Sequence, residues 1–486
     1  MVTAPVHFYE RVDRAIADVK LQRALDRHTH HYIEARRQAL DEMLDPDGVR
    51  DRARAIRAEA LAHLDQYLEQ LAANVEARGG HVHWAADSAS ARNYIVGLAR
   101  DRGVRTIVKS KSMASEEIHL NHALEAQGMN VVETDLGEYI IQLAGETPSH
   151  IVAPVIHKTK EQVAELFVQK LGMPPTDDAQ VITRTARARL RQAFLTADMG
   201  ISGVNFGVAE TGTVVTVTNE GNARLTTTTP RIHVAMMGIE RLVPTVDDLL
   251  VMLQVLARSA TGQRLSVYTT LVTGPARPGE PDGPDEFHLV LLDNGRSRIL
   301  GSDYAEALLC IRCGACLNHC PVYQEIGGHA YGAVYSGPIG AVLTPLFEGI
   351  NEETRYLPQA SSLCGACKEA CPVRIDIPRM LLRLRYDTVE QGKAPEVERG
   401  QLAGWRLAMS SPGLYALGGK IARQVLRPLT RDGRVRRLPP PFNAWTRSRD
   451  FPPFAPQSFQ ERWAARHDRG GTARSDQRTP TKEASR

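Results

Sequence analysis

All seven cysteines of this 486-residue chain fall between Cys310 and Cys371. Four read Cys310-x-x-Cys313-x-x-Cys316-x-x-x-Cys320-Pro321, and three read Cys364-x-x-Cys367-x-x-x-Cys371-Pro372. The first run has the spacing of bacterial-type iron–sulfur ligation, in which the last cysteine of each run serves the other cluster. Two well-separated stretches of chain must therefore fold against each other. Two residues between thiols let a looping backbone turn successive sulfurs inward while its N–H groups face the cluster sulfides. The proline after each last cysteine fixes φ and stiffens the exit. This places Cys310, Cys313, Cys316 and Cys371 on one cluster, and Cys320, Cys364 and Cys367 on the other.

The second set is one thiolate short. A full repeat would need a cysteine at 361, where the chain has Ser361 followed by Ser362. Three completions are open: a four-iron cluster finished by a serine oxygen, a water or a partner's ligand; a three-iron cluster; or an open iron that binds substrate. Zinc suits the pattern less, because zinc sites close with paired Cys-x-x-Cys units. Disulfides suit it least, since the count is odd, a chain this long needs no staples and no signal peptide is evident.

Composition bounds the rest. Hydrophobic residues make up 43% and charged residues 24%, as in ordinary globular chains. A net charge of +3 gives no support for nucleic-acid binding. No apolar run approaches the ~18–20 residues that span a bilayer. The expected location is the cytoplasm, with membrane association only through partners.

Along the chain, residues 1–69 read as an Arg-rich helical arm. Its charge is either a solvated face or a surface that wraps a partner or a second copy. Residues 70–300 alternate strands at 81–85, 105–108, 130–133 and 150–153 with helices such as 88–100 and 116–126, which implies a parallel, helix-covered α/β sheet. Further strands are expected at 212–217, 232–236, 266–272 and 288–292, and Thr245-x-x-Asp248 opens a helix. Residues 301–390 carry the cysteines. The long stretch between the two runs favours a mostly helical ferredoxin-type domain over the small β-containing kind. Residues 391–466 are basic and proline-rich, with Trp445, Phe451, Phe454, Phe459 and Trp463 spaced to pack on the chain itself or on a partner. Residues 467–486 read as a disordered tail.

A ligand pocket is expected in the α/β region. Lys109-Ser110-Lys111 follows a strand, where such sheets expose their crevices. Glu210 lies in a Gly-flanked turn, and Glu220, Asn222 and Arg224 lie in another. His233 sits on a strand as a candidate proton acceptor. Each also has a plain structural reading, as turn chemistry, an ion pair or a core histidine.

The chain resembles the lactate utilization protein B family. The residues that carry the resemblance are Cys310–Tyr323, Ser362–Val373, Lys109–Met113, Glu133–Glu138, Ala209–Thr213, Glu220–Leu225, Pro230–His233 and the ending around Ser458–Trp463. The resemblance implies a lactate-utilization (LUD) domain similar in fold to the ribose-phosphate isomerase and CoA-transferase group. It implies two four-iron clusters, the second with three cysteine ligands. The candidate pocket becomes Lys109, Ser110, Glu138, Glu210, Arg224 and His233. The implied role is electron transfer in the oxidation of L-lactate to pyruvate. The implied partners are a cysteine-rich lactate utilization subunit, a second LUD-domain subunit and a downstream electron acceptor. Whether this chain is itself an enzyme is open, and no catalytic residue is assigned. Two rival readings are a redox-sensing binding protein and a cluster-based hydroxy-acid enzyme acting alone.

Overall fold

The computed structural model describes residues 7–149, 153–440 and 442–471. The chain divides into two compact units, one ending at Lys393 and the other beginning at Ala394.

The first unit is built on a six-stranded parallel sheet. Among the described residues its strands are β1 (His81–Ala85), β2 (Thr106–Lys109), β3 (Asn130–Glu133), β4 (Met199–Gly203), β5 (Phe206–Val208), β6 (Thr213–Thr218), β7 (Ile232–Gly238), β8 (Leu242–Val243), β9 (Tyr268–Val272) and β10 (Glu286–Leu292). The main sheet runs β1-β10-β7-β4-β2-β3, and every pairing in it is parallel. A smaller sheet runs β8-β5-β6-β9. Central β7 and β10 are almost wholly apolar and buried, as strands covered on both faces must be. One face packs on helix Ser88–Asp101, through Ala91, Ile95 and Ala99, and the other on helix Leu64–Glu76, through Leu68, Leu71 and Val75.

Strand β4 is not among the strands expected from the sequence. Its Met-Gly-Ile-Ser-Gly run lacks the β-branched signature of a strand. Gly200 is there because the Thr226 carbonyl oxygen lies 1.9 Å from where a Cβ would stand. The expected helix over 116–126 is broken into Met113–Glu117 and Leu120–Glu125 by His119, which adopts φ 52°. The expected strand at 150–153 falls largely outside the described residues.

From Asp293 to Lys393 the chain forms helices and turns with no strand, as a mostly helical ferredoxin-type region should. The N-terminal arm forms helices Phe8–Ala17, Val19–Asp41 and Pro46–Ala62. Phe8, Leu21, Leu25 and Ile56 share one apolar core with the cysteines and with Val255 and Leu256 of helix Val246–Thr261. The arm's arginines divide: Arg14, Arg23, Arg27, Arg37 and Arg52 form a solvated face, while others turn onto the chain's own cysteine region. Arg36 donates to the Ala370 carbonyl at 3.0 Å, Arg50 to that of Cys371 at 3.0 Å and Arg54 to that of Arg374 at 2.7 Å.

The second unit has helices Glu396–Ser410 and Pro412–Leu426, a short hairpin at Thr430–Val435 and helix Phe459–Gly471. Trp445, Phe454, Phe459 and Trp463 all remain exposed. The last helix runs beyond Arg466, past the expected start of the tail, and residues 472–486 lie outside the described residues.

Candidate iron–sulfur centre and adjoining cavity

The two cysteine runs share one backbone design. Arg312 and Gly314 flank Cys313 in left-handed conformation, with φ 58° and 79°. Leu363 and Gly365 flank Cys364 in the same way, with φ 57° and 88°. Left-handed residues on both sides of a thiol curl the chain into a concave turn whose N–H groups point inward. The Arg312 N–H accordingly points at the Cys310 sulfur, at 3.4 Å. In the second run the Leu363 N–H points at the Ser361 hydroxyl, at 3.1 Å. Ser361 thus occupies the station of Cys310.

All seven cysteines are free, and all but Cys364 are buried. Burial pushes the Cys313 thiol up to about 12, and the neighbouring Cys371 and Cys310 add to the shift. Cys316 is raised well above the ordinary range by burial, then by Cys310, Cys313 and Cys371. Burial raises Cys371 to about 11, with Cys310 contributing. In the second group burial raises Cys367 to about 12, with Cys320 and Cys364 adding to it. Cys320 is raised by burial and by Cys364. Mutual repulsion therefore sorts the thiols into Cys310, Cys313, Cys316 and Cys371 on one side and Cys320, Cys364 and Cys367 on the other. Cys316 also senses Cys367, so the groups adjoin.

Buried thiols that resist ionisation need cationic charge in their midst to become ligands. Among the described residues, no three His, Cys, Asp or Glu side chains converge on a point that a single metal ion would fill. Thiols gathered four and three from runs of this spacing match ligands around a multi-atom core. The residues present therefore fit iron–sulfur clusters.

The two groups differ in surroundings. Arginine charges act on the first: Arg57, Arg241 and Arg312 on Cys310, Arg36 on Cys313 and Cys371, and Arg50 on Cys371. Arg57 is fully buried and donates to the carbonyls of Leu308, Leu309, Glu240 and Leu242, which ties the cysteine region to the α/β domain. No arginine figures among the charges that act most on Cys320 or Cys367.

A cavity of about 420 Å³ lies between the sheet and the first group. Its floor is the C-terminal end of the sheet, at Ser110 after β2, Gly203 of β4 and Met236 of β7, where ligands enter open α/β folds. Its far wall is Arg312, Cys313 and Tyr335. Glu240 and Arg296 are buried beside it. Arg296 donates to Glu240 at 2.6 Å and grips Glu117 with two bonds of 2.9 and 2.8 Å. Burial would raise the Glu240 carboxyl, but Arg296, Arg312 and Arg241 hold it down at about 2.

Of the six expected pocket residues, only Ser110 lines this cavity. Lys109 is buried beneath it, paired with Glu133 at 2.7 Å and bonded to Ser115 at 3.0 Å, so it is a structural cation. Glu138 is buried, with Lys111 3.9 Å away, and burial followed by Glu116 and Glu133 pushes its carboxyl well up. Glu210 accepts from the Val246 N–H at 3.0 Å and caps a helix. Arg224 is exposed and lies off the lining. His233 is buried within β7 and bonded to Ser202 at 2.8 Å. Burial and then His288 lower its pKa to about 3, so it stays neutral and is no proton acceptor at the cavity. Lys111, Glu220 and Asn222, noted in the same sequence runs, do line it. Arg312, Glu240, Arg241, Arg296 and Tyr335 were missed. The available signals were charge inside a Cys-x-x-Cys turn and Glu240-Arg241 directly after a wholly buried strand.

Residues 68–292 match the LUD domain family, residues 306–375 the 4Fe-4S dicluster domain, and residues 387–468 the family described as lactate utilisation protein B, C-terminal. The cofactor is therefore of the iron–sulfur type. A protein named Lactate utilization protein B from Geobacillus sp. (strain WCH70) is 47% identical over 467 residues, covering 96% of this chain and 98% of the relative. One of the same name from Bacillus licheniformis is 48% identical, covering 92% and 94%. Another from Geobacillus kaustophilus is 50% identical, covering 87% and 89%. A solved structure of a DUF162-family protein from Deinococcus radiodurans is 13% identical, covers 47% of this chain and 98% of its own, and superposes with a TM-score of 0.26, too slight a likeness to bear on the fold. With full-length identity near one half and the α/β, cysteine-bearing and C-terminal regions in the same order, the chain belongs to the lactate utilization protein B family.

Proposed function

We propose that this chain is the iron–sulfur electron-transfer subunit of a system that oxidises L-lactate to pyruvate and supports growth on L-lactate. Its companions in that reading are a cysteine-rich subunit, a second LUD-domain protein and a downstream electron acceptor. The names of its relatives support the lactate part. The sorting of seven thiols into two adjoining groups is the observation that carries the electron-transfer part. Cys310, Cys313, Cys316 and Cys371 would hold one four-iron cluster, and Cys320, Cys364 and Cys367 a second. When bound, such clusters supply one-electron carriers.

This chain's own residues fit that use. Arg57 and Arg241, both buried, and the partly buried Arg36, Arg50 and Arg312 offset negative charge at the first ligand set. Cys316 and Cys367 bring the two sets together, and exposed Cys364 leaves the second set near a surface that an acceptor protein can reach. No Gly-x-Gly-x-x-Gly turn follows a strand, so a built-in dinucleotide site has no support in the sequence. Among the described residues no helix is long and apolar enough to cross a membrane; a cytoplasmic location, peripheral to the membrane only through partners, suits this reading.

Anaerobic purification with iron and sulfide quantification and paramagnetic resonance tests the proposal. Iron and sulfide sufficient for two clusters, with two reducible signals, is the expected result. Colourless, iron-poor protein with zinc at the thiols would overturn it.

A further inference from the structure

The cavity beside Cys313 contains cations that the fold itself leaves unsatisfied. Arg296 is used up by Glu117 and Glu240, and Arg241 donates to the Cys310 carbonyl at 2.9 Å. Lys111 and Arg312 differ. The Lys111 Nζ and both Arg312 terminal nitrogens are buried and have no hydrogen-bond partner. Their nearest carboxylates are Glu138 at 3.9 Å and Glu240 at 3.5 Å, outside ordinary hydrogen-bond length. The Arg312 side chain is 9% exposed and is held over the Tyr335 ring, 4.8 Å from its centroid, which fixes the direction of its fork. Buried donors without acceptors cost stability, and a planar guanidinium fork matches a carboxylate in two parallel bonds. Asp135 and Glu220 also line the cavity, with Glu220 exposed at its rim. Carboxylates accept from a hydroxyl but repel an anion charged on every side, which disfavours phosphate.

We propose that this cavity binds a small 2-hydroxy carboxylic acid, with Lys111 and Arg312 on the carboxylate and the hydroxyl toward Asp135 and Glu220. The substrate then lies against Cys313, and this subunit, not a companion, receives it. The choice of L-lactate and pyruvate as probes rests on the lactate reading above; the anion site itself does not.

The test is equilibrium binding of L-lactate, pyruvate and inorganic phosphate to the full chain, purified anaerobically with its clusters. Saturable binding of L-lactate, tighter than that of pyruvate, with phosphate failing to compete, is expected. Lys111→Met and Arg312→Lys should each weaken it by about tenfold or more, the worth of one charge-assisted hydrogen bond. A second readout guards against a variant that only misfolds: in wild-type protein, L-lactate should perturb the resonance of one reduced cluster, the one on Cys313, and leave the other unchanged. Iron-replete protein that does not bind L-lactate, pyruvate bound as tightly as L-lactate, unchanged affinity in Lys111→Met, or equal binding of phosphate would each overturn the proposal. Iron-replete protein without lactate binding leaves the electron-transfer reading standing, whereas iron-free protein that binds lactate does the reverse.

Discussion

The two cysteine runs are one backbone placed in two environments. Residues 310–320 and 361–371 repeat the same left-handed turn, the same short helix after the second thiol and the same N–H aimed at the first side chain. The first run ends against buried arginines and a cavity, while the second has an exposed thiol and a serine in place of a cysteine. Motif spacing therefore specifies how the thiols are presented. What a cluster held there would do depends on neighbours supplied by distant parts of the chain.

Four experiments break or sharpen this contrast, beginning with the largest effect. Cys313→Ser should remove the cluster of the first run and abolish lactate-dependent reduction of an acceptor by the reconstituted system, while circular dichroism shows the α/β domain still folded. Full activity in that variant would dissolve the distinction between the runs. Arg57→Met should cost about 3–5 kcal/mol in denaturant unfolding, because it strips buried carbonyls on both sides of the domain junction of their donor. An equivalent change in exposed Arg379 should cost well under 1 kcal/mol.

The serine offers a finer probe. Ser361→Cys should make the second run a copy of the first and slow iron loss in air. Ser361→Ala should raise the three-iron signal on oxidation, and identical iron retention in both variants would show that the hydroxyl is no ligand. The smallest expected effect is on potential. Positive charge near a cluster stabilises its reduced form, so the cluster of the first run should have the higher potential. Arg36→Gln should lower that potential by on the order of 50 mV and leave the other unmoved in a redox titration. Equal shifts in both would remove the arginines as the cause of the asymmetry.

Much of this was legible from residue order alone. The parallel sheet and the strandless cysteine region follow from spacing and periodicity, which are local signals, and Cys371 lies near Cys310 and Cys313 as the spacing expects. The pocket was legible only in part. Lys109 and His233 are polar residues on buried strands, which is what a site residue looks like in sequence, yet each is paired inside the core. Arg224 belongs to a short helix whose neighbours Glu220 and Asn222 do line the cavity, yet its own side chain is exposed off the lining, and Glu210 caps a helix instead. Arg312 draws no notice of its own within a cysteine motif, yet it stands in the cavity wall.

What the amino-acid order determined by itself is the thiol geometry, because ligand spacing and left-handed turns are set within a few residues of one another. What only the tertiary structure decided is the company those thiols keep. Arginines from helices some 300 positions away in the chain, Arg36, Arg50 and Arg57, reach the cysteine region by satisfying its carbonyls. The smaller sheet, the N-terminal arm and the cysteine region share one apolar core. Burial and long-range charge depend on which surfaces exclude water together, and that is a property of the assembled fold.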